Sequence, residues 1–423
     1  MPETPRPSRF LDRTTPPHIL TLVLIAGVGA LNMNIFLPSL PGMARYFEAD
    51  YALVQLTVSA YLAGTAVLQI FIGPLSDRYG RRPVMIGSLV VFLLATLVCI
   101  VAPTIEILLA GRILGAVVVS GLVLSRAIVR DMVGPDQAAS MIGYVTMGMT
   151  LVPMVAPALG GVLDGAFGWQ ANFVVAFLFG ALVLALVIAD LGETNAAMSV
   201  SFARQFRAYP ELFASRRFWG YTLTATFASG AFFSFLGGGP YVASNVLGMS
   251  PAELGYHFFF IALGYLIGNF ISGRYSTAMG INRMMVAGNL IAASGMVLSL
   301  VLFGVGFYHP MAFFGPIFFV GFGNGMTLPN ANAGIVSVRP HLAGSASGLG
   351  GAIMIGGGAA LSVLAGSLLS PQSGPYPLLV VMLVSCLAGI AASLYVVHVA
   401  REVAREGLGS GRATGAPRET PAE

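Results

Sequence analysis

Apolar runs about as long as a bilayer is thick recur along the whole chain. The hydrocarbon core of a membrane needs about 20 consecutive apolar residues in helix, because each residue rises about 1.5 Å across roughly 30 Å. On that ruler the sequence predicts twelve helices, at 19–38, 52–72, 84–102, 105–126, 139–163, 171–190, 219–241, 255–275, 284–306, 311–329, 345–369 and 378–399. The runs are continuous rather than alternating with period two, which excludes a closed β-barrel. The first run follows Arg6, Arg9 and Arg13 and has the layout of a signal peptide. Asn32 and Asn34 within it, and the lack of a small-residue cleavage site, favour a retained span. Charged residues make up 9% of the chain and hydrophobic ones 56%, where a soluble protein carries about 25% charged. Such a balance excludes an ordinary cytosolic enzyme, a disordered chain and a nucleic-acid binder. The net charge of +4 is spread over single and paired Arg, with no Lys. Cys99 and Cys386 both sit inside apolar runs and offer neither a disulfide framework nor a metal site.

The longest polar connection, residues 191–218, carries Arg204, Arg207, Arg216 and Arg217. It divides the chain into bundles of six spans each at 18–190 and 219–400, with disordered tails expected at 1–17 and 401–423. With the N-terminus in the cytoplasm, nineteen of the 21 Arg fall at cytoplasmic ends, loops or tails, Arg45 faces outside and Arg112 is left within the membrane. The opposite orientation inverts that ratio, so both termini are expected in the cytoplasm. The halves echo each other: Gly73 and Gly80 bracket the loop after the second run, Gly273 and Gly280 the loop after the eighth, and Gly115 and Gly315 keep the same offset. Paired repeats around a midplane site are an architecture of alternating-access transporters.

The loop after the second run reads Gly73-Pro-Leu-Ser-Asp77-Arg78-Tyr-Gly80-Arg81-Arg82-Pro83. Pro74 and the glycines are expected to force a tight turn at the helix end. Asp77 offers a carboxylate that Arg78, Arg81 and Arg82 can bridge, and those arginines can also reach helix C-termini or lipid phosphates. The segment resembles the signature loop of the major facilitator superfamily, and the resemblance implies a gate. The corresponding stretch from Gly273-Arg274 through Gly280 to Arg283 lacks the Asp, so the latch is expected on one side only. The fifth run carries Pro153, Pro157, Gly160 and Gly161 in Val-Pro-Met-Val-Ala-Pro-Ala-Leu-Gly-Gly. Two prolines four apart bend a helix and the glycines permit close approach of another; the stretch is similar to the motif of the exporter branch of that superfamily. Asn34-Ile-Phe-Leu37-Pro38-Ser-Leu-Pro41, Gly111-Arg112-Ile-Leu-Gly115, Arg126 through Arg130-Asp131, Gly168-Trp169-Gln170, Glu193-Thr194, Pro329-Asn330-Ala331 and Ala343-Gly344-Ser345-Ala346-Ser347 extend the likeness. Together they resemble the bicyclomycin/chloramphenicol-resistance branch of the twelve-span drug:proton antiporters of bacterial inner membranes. The resemblance covers about 18–400 and implies an all-α fold of two pseudo-symmetric six-helix bundles, working as a monomer on a small-molecule substrate with protons as the coupled ion.

That branch places an Asp where this chain has Asn34, and an amide cannot titrate. No Asp or Glu lies near the centre of any apolar run, and His257, one turn after Glu253, is the remaining proton-relay candidate. Arg112 is the sharpest single residue, since an Arg buried on a membrane helix costs at least about 2.5–3.5 kcal/mol and marks a functional site. Asn34 and Arg112 fall at similar depth, and the resemblance implies that spans one and four are neighbours, so the two are expected to meet. The alternative is that Arg112 snorkels to the headgroups. Arg126, 14 residues later, is read as gate or anchor. Apolar cavity walls with a few polar groups are offered by Asn32 and Asn34; by Gln55, Tyr61 and Gln69; by Met147 and Met149; by Phe232, Phe233 and Phe235; and by Asn269. No cofactor, metal, catalytic group or nucleic-acid partner is expected. Export of small amphipathic compounds is the leading function; a metabolite importer or exchanger, an exporter without proton coupling, and a non-transporting receptor or scaffold remain open.

Overall fold

A computed structural model describes residues 9–132, 135–195, 209–339 and 342–413. Among the described residues every regular element is helical, and the helices fall where the hydropathy places them. Spans 1 to 12 are Ile19–Tyr46, Tyr51–Tyr79, Arg81–Ile100, Ile105–Met132, Pro135–Phe167, Gln170–Asp190, Arg216–Tyr241, Pro251–Met279, Ile281–Gly304, Pro310–Ser337, Ala343–Leu368 and Tyr376–Ala400. Ten of them are long and apolar enough to cross a bilayer. Span 7 is diluted by Gly, Ser and Thr, and the continuously described part of span 5, Val152–Phe167, is a shorter apolar helix.

Local chemistry sets the helix ends. Ser250 and Glu253 form a capping box ahead of span 8, with Pro251 in the first turn where its missing N–H is not needed. Spans 2 and 8 are both 29 residues long, and each ends at a glycine in the left-handed region, Gly80 at φ +97° and Gly280 at φ +82°. The reversal into spans 3 and 9 takes that single residue, and a side chain there would be strained. The offset of 200 positions read from the sequence is therefore a repeat in backbone geometry as well.

Three ends differ from expectation. Span 2 continues as helix through Gly73 and Pro74 to Tyr79, so the tight turn is made by Gly80 alone. Hydropathy marks where the bilayer ends, and the helix runs on through polar residues beyond it. Span 1 breaks after Asn34 into a 3₁₀ turn, Leu37–Ser39, and a short helix, Leu40–Tyr46, where Pro38 and Pro41 remove backbone donors. The last helix continues to Ala413, past the boundary at 400. Residues 9–17, grouped above with a disordered tail, are tied down instead: the fully buried Asp190 accepts from the backbone N–H of Leu11 at 2.7 Å and of His18, at the start of the first bundle, at 2.9 Å.

The packing is not the same at the two faces of the molecule. On the arginine-poor face one continuous apolar core joins both halves, running from Phe36, Leu40 and Val58 to Phe235, Phe258, Phe314 and Leu378. On the arginine-rich face the core is two separate clusters. One holds Leu22, Met85, Leu124 and Val187 of the first half, the other Phe218, Met285, Ile335 and Val396 of the second. Leu94, Leu178, Leu182, Leu290 and Leu394 are exposed on spans 3, 6, 9 and 12, as helices bathed in lipid require.

Candidate functional site

Arg112 is 2% exposed and lies inside the first half, not among headgroups. Gly111 lets span 4 lie against span 3, since a Cβ there would come within 2.7 Å of the Cys99 sulfur. Just after Arg112 the helix tightens into a 3₁₀ turn, Ala116–Val119, before resuming. The guanidinium Nε–H donates to the Thr57 carbonyl at 3.2 Å, and Nη1–H donates to the Asn32 carbonyl at 3.2 Å and to Asn32 Oδ1 at 2.9 Å. Its guanidinium carbon lies over two rings, 4.2 Å from the Phe36 centroid and 4.5 Å from that of Tyr61. A guanidinium stacked on desolvated rings gains cation–π attraction, so one side chain fastens spans 1, 2 and 4 at bilayer depth. The expected pairing with Asn34 is not made. Residues 32 and 34 point to different sides of span 1, and Asn34 Nδ2 donates to the Ala30 carbonyl of its own helix at 2.7 Å. The partner is Asn32, whose carbonyl lies at the last turn before the break in span 1.

The two halves meet on the arginine-poor face. The Tyr51 hydroxyl donates to the Gly237 carbonyl at 2.6 Å, and its ring packs on Tyr241 at 4.9 Å. Gln55 Nε2 donates to the Ser362 carbonyl at 2.5 Å, and the Ser59 and Ser362 hydroxyls are 3.3 Å apart. Gly161 lies against the Pro251 carbonyl and Gly255 against the Pro157 carbonyl, while Gly160 lies against the Ile35 carbonyl within the first half. Any side chain at these glycines would collide with backbone. The Pro153–Gly161 stretch thus brings span 5 against span 8 without breaking its helix. Toward the arginine-rich face the contact loosens: Gln69 stands 3.5 Å from a Cβ position at Gly351, and among the described residues a Cβ at Gly348, Gly344 or Gly73 would meet no other element within 4 Å.

At the arginine-rich face, Arg81 bridges two carboxylates, Asp77 at 2.5 Å and Asp131 at 2.9 Å, and so joins the ends of spans 2, 3 and 4. Glu193 accepts from the backbone N–H of Arg81 at 2.9 Å and of Arg82 at 3.2 Å, covering the start of span 3. Arg82 Nε donates to the Leu191 carbonyl at 2.8 Å, and Arg78 is exposed beside Tyr79. Of the three arginines given Asp77, helix C-termini or lipid phosphates as partners, Arg81 bridges Asp77 and Arg82 caps the C-terminus of span 6 at the Leu191 and Ile188 carbonyls. Asp77, Arg81 and Asp131 belong to the first half, and Glu193 to the connection that follows it.

The remaining candidates are dispersed. Phe233 is buried against Gly358 and Phe232 in the second half, and Phe235 packs on Phe258 and Phe313. Asn269 donates to the Tyr265 carbonyl of its own helix at 2.8 Å. His257 Nδ1 lies 2.7 Å from the Glu253 carbonyl and its ring faces Phe314, while the Glu253 carboxylate is engaged by Ser250. Arg126 is half-buried near Tyr265 of the other half. The side chains of Met147 and Met149 lie outside the described residues, as do Arg204 and Arg207. Sequence reasoning missed Phe36, Thr57 and Asp131 as partners. Cavities of about 560 Å³ and 370 Å³ lie elsewhere, the first between spans 7 and 12 at Trp219 and Tyr395, the second beside Asn245 and Tyr376.

The family model described as Major Facilitator Superfamily matches residues 22–362 and, in a second match, 240–418. The chain belongs to that superfamily. A bicyclomycin resistance protein homolog of Haemophilus influenzae is 30% identical over 363 residues, covering 84% of this chain and 90% of its own length. Multidrug resistance protein D of Escherichia coli is likewise 30% identical over 364 residues, covering 84% and 89%. Among solved structures, a bacterial homolog of the human lysosomal transporter Spinster, in an inward-facing and occupied conformation, superposes with TM-score 0.70 at 16% identity, covering 90% of this chain and 96% of its own. This member is a multi-pass membrane transporter.

Proposed function

We propose that this chain exports small amphipathic compounds across a bacterial cytoplasmic membrane by alternating access, with its termini in the cytoplasm. The observation that carries this is the uneven core: joined across the halves at the arginine-poor face, divided at the arginine-rich face. Two rigid halves that seal one mouth and part at the other form one of the two states a rocking carrier needs. With the arginine-rich face in the cytoplasm, this state is open to the side from which a drug is collected. In this scheme spans 1–6 tilt as a body because Arg81, Asp77, Asp131 and Glu193 brace their ends and Arg112 fastens their middle. The opposite mouth opens when Tyr51, Gln55 and Ser59 part from Gly237 and Ser362.

Relatives named for bicyclomycin and multidrug resistance support antibiotics and similar amphipathic compounds as the substrate class. Proton coupling through span 1 is not part of the scheme, since Asn32 and Asn34 carry amides. The experiment is a susceptibility panel in a pump-deficient bacterial host expressing the chain, run at two external pH values. Raised tolerance to at least one amphipathic antibiotic, lost with Arg81→Ala at equal expression, is the expected result, and its pH dependence reads proton linkage directly. No protection against any member, with uptake of a metabolite in the same cells, would overturn export.

A further inference from the structure

The outer surface of the second half is notched where spans 7 and 12 meet near the arginine-rich face. Between Tyr221 and Gly230, span 7 is buried except at Leu223 and Phe227, which continue from Trp219 as one stripe at four-residue spacing. Opposite them span 12 carries Ala388, Ala391 and Ala392, whereas its other outward positions carry Val384, Leu387 and Leu394. The small side chains leave a cavity of about 560 Å³, within the ~300–1,000 Å³ range of small-molecule sites. It follows span 7 for two helical turns, about 12 Å. At its arginine-rich end the Trp219 indole N–H donates to the Phe213 carbonyl at 2.9 Å, which fixes the ring. Arg216 stands at the same end. Its Nε donates to the Tyr395 hydroxyl at 3.2 Å and its Nη1 meets Glu402 at 3.2 Å, while Nη2 has no partner among the described residues. Glu402 is shared with His398 at 3.0 Å, and Glu211 is taken by Arg339 at 2.7 Å. Arg217 follows in sequence, its Nε buried without an acceptor. The two adjacent arginines therefore face one carboxylate that is already shared.

We propose that this notch holds one molecule of an anionic phospholipid, with its phosphate on Arg216 and an acyl chain laid between spans 7 and 12. Charge selects the headgroup: a basic pocket between membrane helices is balanced by a lipid whose phosphate is its only charge. A zwitterionic lipid brings an ammonium to the same two arginines. The guanidinium fork matches phosphate oxygens, and Nη2 is the donor still to be used. Trp219 and Tyr395 have the apolar bodies and polar tips of an interfacial belt, at the level where a chain joins its headgroup. A lipid that merely bathes a helix meets a flat face, whereas here the Ala positions sink the chain beside Leu223 and Phe227. Both walls belong to the second half, so lipid binding is read on the purified chain whether or not the chain exports drugs.

The test is native mass spectrometry of the full chain in detergent, titrated with phosphatidylglycerol or with phosphatidylcholine of identical acyl chains. One phosphatidylglycerol per chain is expected, held at least about fivefold more tightly than phosphatidylcholine, the factor one arginine near a membrane surface supplies. Arg216→Ala removes that preference. Ala391→Trp fills the notch from an exposed position, leaves Arg216 in place and weakens phosphatidylglycerol by at least about the same factor. Arg274→Ala, at an exposed arginine of span 8 outside the notch, leaves the binding as in the wild type. Equal affinity of the wild type for the two lipids, or a loss with Arg274→Ala as large as with Arg216→Ala, makes the binding general surface charge and overturns the site. Phosphatidylglycerol displaced by inorganic phosphate, or a lipid-free dimer that Ala391→Trp separates, puts a different occupant there and overturns it as well.

Discussion

Replacing Arg112 by Met separates a functional arginine from a structural one. The side chain makes three hydrogen bonds to neutral oxygens, each worth roughly 1.5–3 kcal/mol for a charged donor. Stacking on Phe36 and Tyr61 adds up to about 2 kcal/mol per desolvated ring. Against these stands the desolvation of a guanidinium, several kcal/mol for one ion. Because the partners of Arg112 are neutral oxygens, removing the guanidinium relieves that desolvation without stranding an opposite charge, and Met has the unbranched shape to fill the space beside the rings. What Met cannot do is satisfy the three oxygens the guanidinium engages, Asn32 Oδ1 and the Asn32 and Thr57 carbonyls, a loss of roughly 1–3 kcal/mol each. The relieved desolvation and this loss are of similar size. Arg112→Met is therefore expected to unfold within about 5 °C of the wild type while losing efflux of the compound against which the wild type gives most tolerance. Unfolding is followed by thiol-dye labelling of the buried Cys99 and Cys386, and efflux in the same pump-deficient host at matched expression. Efflux that persists in a well-folded Arg112→Met protein, or that falls only in proportion to lost folded protein, would refute a functional role for the charge.

Three further outcomes follow from the geometry. Gly255→Val puts a branched side chain into the Pro157 carbonyl across the halves; overpacking of about 1–3 kcal/mol shifts the population from the sealed state by roughly 5- to 150-fold, read as faster labelling of a Ser59→Cys thiol from the arginine-poor side. Asn34→Asp introduces a titratable group at a position that has none, so its ratio of efflux at pH 6 to efflux at pH 8 departs from the wild-type ratio; an unchanged ratio would show that this position does not touch the coupling step. Asp190→Ala removes the acceptor that holds Leu11 and His18, two bonds to a carboxylate of roughly 1.5–3 kcal/mol each, and trypsin is expected to cut after Arg9 and Arg13 at least about tenfold faster.

The spans were legible because bilayer length and hydropathy are one-dimensional properties, and Arg112 because a cation in an apolar run has few explanations. The partner of Arg112 was not legible. Asn32 and Asn34 are equally polar, and which of them faces span 4 depends on the rotation of span 1 and on its break after Asn34. Phe36 looked like any other apolar residue, although the guanidinium carbon lies over its ring. The turn at Gly73–Pro74 was misplaced because polar residues end a crossing without ending a helix. Gln55 was legible as a polar residue in a span; its partner Ser362 lies 307 positions away, and no local pattern connects them. Asp131 could be read as a charge at a helix end, but its bond to Arg81 is made only when spans 3 and 4 pack. The matched turns at Gly80 and Gly280 were visible as spacing, since a glycine required by its backbone angle leaves the same trace twice.

The most direct test of alternating access is a cross-link between Ser59 and Ser362, whose hydroxyl oxygens are 3.3 Å apart across the halves. Cysteines at both positions are expected to form a disulfide under mild oxidation, after a small closing movement to the S–S distance of about 2.05 Å. The oxidised double variant should lose efflux completely, each single variant should retain it, and reduction should restore it. Full efflux by quantitatively cross-linked protein would contradict a mechanism in which these two surfaces must part.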